Sequence, residues 1–155
     1  MTHQTLKNTA LTLAAVIAIG LPGNLLAANI KVASSVPVDQ AVSQLTEAVA
    51  KAGARVFTTV DFTKGAASQG VELRPTTVVI FGSPKIGAPA LLIGQTMGLF
   101  LPLRVLAYED ALGKTWLEYP DPVDAAMEHG VPVDHPAVLR MRAALAKLTE
   151  IAAKE

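Results

Sequence analysis

The chain has 155 residues, enough for one domain that buries its own core without disulfide bonds or structural metals. Its 13 basic and 13 acidic residues give a formal net charge of zero, which argues against nucleic acid and charged membrane surfaces as partners. Cysteine is absent, so disulfides, thiol catalysis and a lipid-modified cysteine are excluded.

The N-terminus has the pattern of a secretory signal peptide. A short polar region with Lys7 leads into the apolar run 10–21, and Pro22 ends this run before it reaches the length of a membrane-spanning helix. The small residue Ala28 marks the expected cleavage site, and an uncleaved anchor is the alternative. We therefore predict a signal peptide over residues 1–28, a periplasmic or secreted protein, and no membrane span after cleavage.

Residues 29–155 are predicted to form a single α+β domain, with a mixed or mainly antiparallel sheet of four to five strands packed with helices. Short β-branched and apolar runs predict strands at 29–33, 55–62 and 76–82, and a hairpin of 103–110 and 114–120. Helical spacing of apolar residues predicts helices at 37–52, 64–69, 123–129 and 136–153. Residues 84–102 are predicted to be a helix interrupted by glycines and by Pro89.

The segment FGSPKIGAP, residues 81–89, follows an apolar strand and has two glycines five positions apart, as in a phosphate-binding loop. A P-loop needs Lys and then Ser or Thr after the second glycine, but Ala and Pro stand there, and the dinucleotide fingerprint lacks its middle glycine. The favoured interpretation is a strand-to-helix junction in which Ser83 caps the helix and Pro84 is its first residue. The alternative is an anion site formed by the helix start and Lys85.

Several segments together resemble the family called domain of unknown function 302. They are VDFTKGAASQGVELRPTTVVIFGSPKIGAPALL, LPLRVLAYED, GKTWLEY and DPV, within residues 37–130. The resemblance implies a small α+β domain, often dimeric, with no established activity for the family as a whole. It also implies a histidine after the aspartate of the second strand, where this chain has Asp61 followed by Phe62. Phe62 can supply neither a metal ligand nor a base.

Polar residues near the predicted strand ends form the candidate ligand-binding set, to which the hairpin adds Tyr108. Small ligands tend to bind at strand ends in layered proteins, so we expect Asp61, Glu72, Arg74 and Lys85 to form the polar rim of one pocket. An ion pair between Glu72 and Arg74 is the alternative interpretation for those two residues.

The hairpin carries three aromatic residues, Tyr108, Trp116 and Tyr119. Strand alternation places Leu106 and Tyr108 on the face opposite Val105. We expect the aromatic side chains to complete a core or a subunit interface, with stacking on a ligand as the alternative. A partly apolar sheet face needs a cover, which a homodimer would provide.

Metal binding and nucleophilic catalysis have little support in the sequence. His129 and His135 lie beside Glu128 and Asp134, but a spacing of six residues matches no helical pair and no standard metal motif. The G-x-S-x-G elbow is absent, and no histidine lies beside a candidate serine. We therefore predict no cofactor and no metal site, and expect the histidines to be solvated side chains at helix ends.

The leading hypothesis is an exported, homodimeric domain that binds a small ligand or a partner and performs no chemistry. The first alternative is a small enzyme in which Asp61 or Glu72 acts as general acid or base and Arg74 or Lys85 holds an anionic substrate. The second alternative is a periplasmic metal-binding protein, which would require the two histidines to converge with a carboxylate.

Overall fold

The computed structural model describes residues 29–155, so the predicted signal peptide at residues 1–28 lies outside the described residues. The strands are β1 (Ile30–Ala33), β2 (Arg55–Asp61), β3 (Thr76–Gly82), β4 (Leu103–Glu109) and β5 (Thr115–Tyr119). The α-helices are α1 (Val38–Lys51), α2 (Phe62–Ala67), α3 (Pro84–Ile93), α4 (Pro122–Glu128) and α5 (Pro136–Ala152), and a 3₁₀ helix covers Gln95–Leu99.

The five strands form one sheet in the order β1-β5-β4-β3-β2, and each neighbouring pair is antiparallel. This confirms the predicted α+β class and makes the sheet fully antiparallel within residues 29–155. β3 is an inner strand between β2 and β4, as its nearly continuous apolar sequence indicated. Only alternate residues of β3 are buried, because the helices cover one face of the sheet.

The core lies between one face of the sheet and the helices, chiefly α1 and α5. Leu45 and Val49 of α1 recur at helical spacing and are fully buried, as are Met141 and Leu145 of α5. The sheet contributes the buried side chains Val79, Phe81, Val105, Ala107, Leu117 and Tyr119. Each large apolar side chain buried in this way stabilises the fold by about 1.5–3 kcal/mol.

The opposite face of the sheet is apolar in its centre but stays partly exposed. We call it the open sheet face, and it consists of Val60, Val78, Ile80, Leu106, Tyr108 and Trp116. Cross-strand pairing joins Val60 to Val78 and Val78 to Leu106 in one row. The predicted alternation along the hairpin is therefore confirmed, since Val105 and Leu117 are buried while Leu106 is half-buried.

Two helices, α2 and α3, differ from the prediction by more than one residue at a boundary. α2 begins at Phe62 instead of Lys64, because the Asp61 carboxylate accepts a hydrogen bond from the Lys64 N–H and caps the helix there. α3 continues through Pro89 to Ile93, since the fixed φ of proline is compatible with a helix and only one backbone donor is lost. The interruption falls at Gly94, whose backbone is extended.

Candidate functional site

Asp61 is engaged in local structure at the end of β2. One carboxylate oxygen accepts the Lys64 N–H at 2.9 Å and the other lies 3.1 Å from Lys64 Nζ. These interactions lower the pKa of Asp61, with the hydrogen bond from the Lys64 backbone as the largest cause. An ionised carboxylate whose two oxygens already have partners is a poor general acid and a weak base. Phe62, at the position of the expected family histidine, is the first residue of α2 and is exposed.

Glu72 and Arg74 lie in the exposed loop between α2 and β3. The expected ion pair between them is absent from the salt bridges of residues 29–155. Arg74 Nε instead donates to the backbone carbonyl of Glu109 at 3.2 Å, and the carbonyl oxygen of Arg74 accepts from the hydroxyl of Thr76 at 2.8 Å. Arg74 therefore fastens the loop to the end of β4.

Lys85 lies at the other end of the sheet from these three residues. Asp61 pairs with Thr77 at the start of β3, whereas Lys85 follows the end of β3 in the first turn of α3. The seven residues of β3 separate the two ends by about 20 Å. The structure therefore does not bring Asp61, Glu72, Arg74 and Lys85 into one pocket. Because β2 and β3 are antiparallel, β2 finishes at one end of the sheet and β3 at the other.

Tyr108 belongs to a polar and aromatic cluster on the open sheet face. Its hydroxyl donates to Glu118 Oε2 at 2.8 Å, and Asn29 Nδ2 donates to the other oxygen of Glu118 at 3.0 Å. Lys31 Nζ lies 5.1 Å from the centre of the Tyr108 ring and 4.5 Å from that of the Trp116 ring. Lys31, in the edge strand β1, was not identified from the sequence, because its pairing with β5 is not a local feature.

Charge within this cluster is mutually compensated. The Tyr108 hydroxyl and the nearby Glu118 carboxylate raise the pKa of Lys31. Hydrogen bonds from Asn29 and Tyr108, together with Lys31, lower the pKa of Glu118. Because these groups already satisfy one another, the cluster is better suited to holding β1 on the sheet than to binding a ligand.

The two histidines do not form a metal site. His135 caps α5, where its Nδ1 accepts the Ala137 N–H at 3.3 Å, so it is not the simply solvated side chain that the sequence suggested. His129 lies at the C-terminal end of α4 and is half-buried. Within residues 29–155 no group of three or more His, Cys, Asp or Glu side chains is arranged to hold a metal ion.

A cavity of about 630 Å³ opens beside the FGSPKIGAP segment, and residues 81–88 line it in succession. Its other walls come from β2, the 3₁₀ helix, the start of β4 and α5. Aromatic and aliphatic side chains dominate the lining, among them Phe57, Phe81, Ile86, Leu91, Leu101 and Met141. The polar side chains among the lining residues are those of Ser83 and Lys85. Lys85, which was predicted to belong to a polar rim with two carboxylates, thus lies at an apolar cavity instead.

Ser83 is the N-cap residue of α3 and Pro84 its first residue, as predicted. The side chain of Ser83 nevertheless makes no capping hydrogen bond, so the expected capping role of its hydroxyl is wrong. The Ser83 carbonyl oxygen accepts the first intrahelical bonds, from Ile86 and Gly87 at 3.0 Å each. The helix therefore begins through backbone geometry and the proline alone.

The family described as Domain of unknown function DUF302 matches residues 30–153 of this fold. The chain belongs to the DUF302 family. A solved structure described as the uncharacterized conserved protein DUF302 from Bacillus stearothermophilus is similar, with a TM-score of 0.72 and 19% identity. The match covers 80% of this chain and 97% of that chain. At this identity the likeness shows the fold alone.

Part of this DUF302 chain is also similar to two fluoride channels of Brucella. A stretch of 79 residues is 44% identical to the Fluoride-specific ion channel FluC 1 of Brucella suis biovar 1 and to the Fluoride-specific ion channel FluC 2 of Brucella melitensis biotype 1. The stretch makes up 51% of this chain, but only 31% and 29% of those relatives, so the chain spans less than a third of their length. Within residues 29–155, no helix has the length and apolarity needed to cross a membrane.

Proposed function

We propose that this protein is an exported, non-catalytic binding domain that works as a homodimer closed through its open sheet face. The observation that carries the proposal is the apolar row of Val60, Val78 and Leu106, which stays partly exposed although it lies across three paired strands. A continuous apolar patch of this kind marks an interaction surface more often than a free one. In a two-fold symmetric dimer both subunits contribute the same surface patch, so a second copy of this chain would cover the apolar row with an apolar row of its own.

The surroundings of the candidate acid and base residues argue against the enzyme alternative. Asp61 is an ionised helix cap, and Glu72 lies on exposed loop surface. Neither carboxylate lies near Lys85, which was expected to hold an anionic substrate. General acid or base catalysis needs a carboxyl group in a concave, partly desolvated site within reach of the substrate.

The dimer is tested by measuring the particle mass of the full chain by sedimentation or light scattering. We expect a dimer for the unchanged chain and a folded monomer for Leu106→Glu, which places a charge in the centre of the face. Leu112→Glu is the matched control, because Leu112 is 92% exposed in the turn between β4 and β5, and this variant should remain dimeric. A monomeric unchanged chain contradicts the proposal.

Export is proposed from the apolar N-terminal run and its expected cleavage near Ala28. The test is the intact mass of the protein recovered from a periplasmic extract of cells that express the full chain. A mass corresponding to residues 29–155 supports export and cleavage. Full-length protein confined to the cytoplasm contradicts both.

A second candidate function follows from the similarity to part of two Brucella fluoride channels. In this alternative the domain binds a fluoride channel as a separate chain. The test is affinity purification of the tagged full chain after co-expression with the Brucella suis channel from which the matching segment has been removed. Co-purification supports the candidate, and recovery of the domain without the channel contradicts it.

A further inference from the structure

The cavity beside the FGSPKIGAP segment has the shape and lining of a small-molecule site. Its volume of about 630 Å³ lies within the roughly 300–1,000 Å³ that is usual for such sites. It lies at the end of the sheet where β3 passes into α3, and none of the six residues of the open sheet face lines it. The cavity can therefore be occupied whether or not the sheet face is covered by a second copy.

We propose that this cavity binds a small amphipathic molecule that has an apolar body and an anionic head group. The inference deepens the proposed binding role and rests on it, because it assumes that the domain holds a ligand. The apolar walls match the body, since Phe57 is 51% exposed and Leu91 and Leu101 are only half-buried in the free protein. Covering these side chains with an apolar group removes their surface from water.

The charges at the cavity select the sign of the head group. Lys85 is the one ionisable residue among those that line the cavity, and it takes part in none of the salt bridges within residues 29–155. A second cation lies close by, because the Arg55 guanidinium lies 5.8 Å from the centre of the Phe57 ring. Lys85 in the lining and Arg55 nearby are both cations, and no carboxylate lines the cavity. This charge favours an anionic head group over a neutral or cationic one.

The position of Lys85 in the helix strengthens this argument. Lys85 occupies the first turn of α3, which holds no acidic residue. The N-terminal end of a helix carries a partial positive charge, and the cationic side chain of Lys85 adds to it. A bound anion at this end would therefore be stabilised by both charges. Ser83, two residues before Lys85, makes no capping hydrogen bond with its hydroxyl and supplies a second polar group in the lining. An anionic head group would compensate Lys85 and accept a hydrogen bond from this hydroxyl.

A second hollow within residues 29–155 is a weaker candidate. It has a volume of about 530 Å³ and lies between α1 and α5. Its rim carries charges of both signs, and two of its lysines are already paired, Lys51 with Glu47 and Lys154 with Glu150. Because acidic and basic side chains are mixed in its lining, this hollow does not select one sign of head group.

The test compares three probes built on a ten-carbon chain with different head groups: decanoate, decanol and decyltrimethylammonium. Binding to the full chain is measured by calorimetry near neutral pH and below the micellar concentration of each probe. We expect decanoate to bind about tenfold or more tightly than decanol, and decyltrimethylammonium to bind more weakly than both. Equal binding of all three, or no binding of decanoate, overturns the proposal.

Variants of the lysine test the head group. Lys85→Ala is expected to reduce decanoate affinity about tenfold while leaving decanol unchanged, and Lys85→Arg is expected to retain decanoate. Lys147→Ala is the matched control, because Lys147 is an exposed lysine outside this cavity. A Lys85→Ala protein with unchanged affinity for decanoate overturns the assignment of the head group to Lys85.

A variant that fills the cavity tests the position of the apolar body. A Cβ at Gly98 would lie 3.7 Å from Leu91 Cδ2, an ordinary contact inside the cavity, so Gly98→Phe should fold and block the site. Gly65→Phe is the matched control, since a Cβ at Gly65 meets nothing within 4 Å and Gly65 is outside the cavity. Retained decanoate binding in folded Gly98→Phe overturns the proposal. The particle mass of Leu106→Glu tests the dimer separately, so the two proposals can fail independently.

Discussion

Asp61 takes its structural role from Lys64, which follows it closely in the chain. In the sequence it is an acidic residue after a β-branched strand, and that position is shared by ligand-binding carboxylates and by helix caps. In the structure both of its oxygens contact Lys64, three residues ahead. A local partner at this spacing competes with any distant ligand, and here the local interaction decides the role of the residue.

The cap at Asp61 predicts a specific dependence of stability on pH. The hydrogen bond from the Lys64 backbone holds the pKa of Asp61 below the usual value of an aspartate in the folded protein, so the stability that Asp61 contributes is present at neutral pH and is lost as the pH falls through the folded pKa. Asp61→Ala should therefore lower the melting temperature by a few degrees near neutral pH, and the difference should shrink in acid. Thermal unfolding over a pH series measures this.

The matched control for Asp61→Ala is Glu72→Ala, because Glu72 is exposed and takes part in no salt bridge within residues 29–155. Its melting temperature should follow that of the unchanged protein at every pH. A deficit of Asp61→Ala that stays the same in acid would show that the charge of Asp61 contributes nothing to the cap.

Gly94 predicts a second effect at the residue scale. A Cβ at this position would collide with the carbonyl oxygen of His129 and lie 3.1 Å from Val131 Cγ2. Its φ of −132° is accessible to any residue, so packing against the end of α4 is the reason for glycine. Gly94→Ala should lower the free energy of unfolding by about 1–3 kcal/mol, as measured by urea denaturation.

Gly65→Ala is the control for the packing argument at Gly94. Gly65 lies inside α2, and a Cβ there meets nothing within 4 Å. Alanine at this position should be neutral or stabilise the protein by about 0.5–1 kcal/mol, because glycine weakens a helix. Equal effects of the two substitutions would rule out the collision with His129 as the cause.

At the scale of elements, the sequence predicted the helices and strands well because their signals are local. Apolar spacing in α1 and α5, β-branched residues in β2 and β3, and the glycine of the hairpin all act within a few residues. The errors in the boundaries of α2 and α3 also have local causes, a side-chain cap at Asp61 and a tolerated Pro89. The pairing of β1 with β5 is not local, and the partners of Lys31 could not be predicted for that reason.

The cluster around Lys31 predicts how β1 is held on the sheet. β1 is an edge strand of four residues, and Lys31 contacts the ring of Trp116 on the neighbouring strand β5 and that of Tyr108 on β4, the next strand. Lys31→Ala should lower the melting temperature by a few degrees, because these cation–π contacts are lost. It should also change the fluorescence of Trp116, the single tryptophan of the chain, so that emission spectra report on the contact directly.

Lys147→Ala again serves as the control, because Lys147 lies on α5 away from both rings. It should alter neither the melting temperature nor the emission of Trp116. Emission that is unchanged in Lys31→Ala would contradict the stacking of Lys31 on the indole.

For the whole molecule, the sequence predicted the class and the family but not the site. The family signature and the alternating segments are enough for a single α+β domain with an antiparallel sheet. The cavity depends on Phe57 in β2, Leu101 before β4 and Met141 in α5, which are far apart in sequence and meet only when the sheet order is known. Lys85 was selected on local grounds, and only the assembled fold shows which chemistry surrounds it.

The proposed dimer makes a prediction for the stability of the whole molecule. If two copies associate through the open sheet face, association stabilises the folded state by mass action. The melting temperature of the full chain should then rise by a few degrees when the protein concentration is raised about a hundredfold.

Leu106→Glu should melt at a lower temperature that does not depend on concentration, whereas Leu112→Glu, with its exposed position in the hairpin turn, should behave as the unchanged chain. A melting temperature of the unchanged chain that is independent of concentration would contradict a reversible dimer that unfolds together with its interface. Decanoate should raise the melting temperature of Leu106→Glu as much as that of the unchanged chain, because the cavity lies apart from the face that the dimer covers.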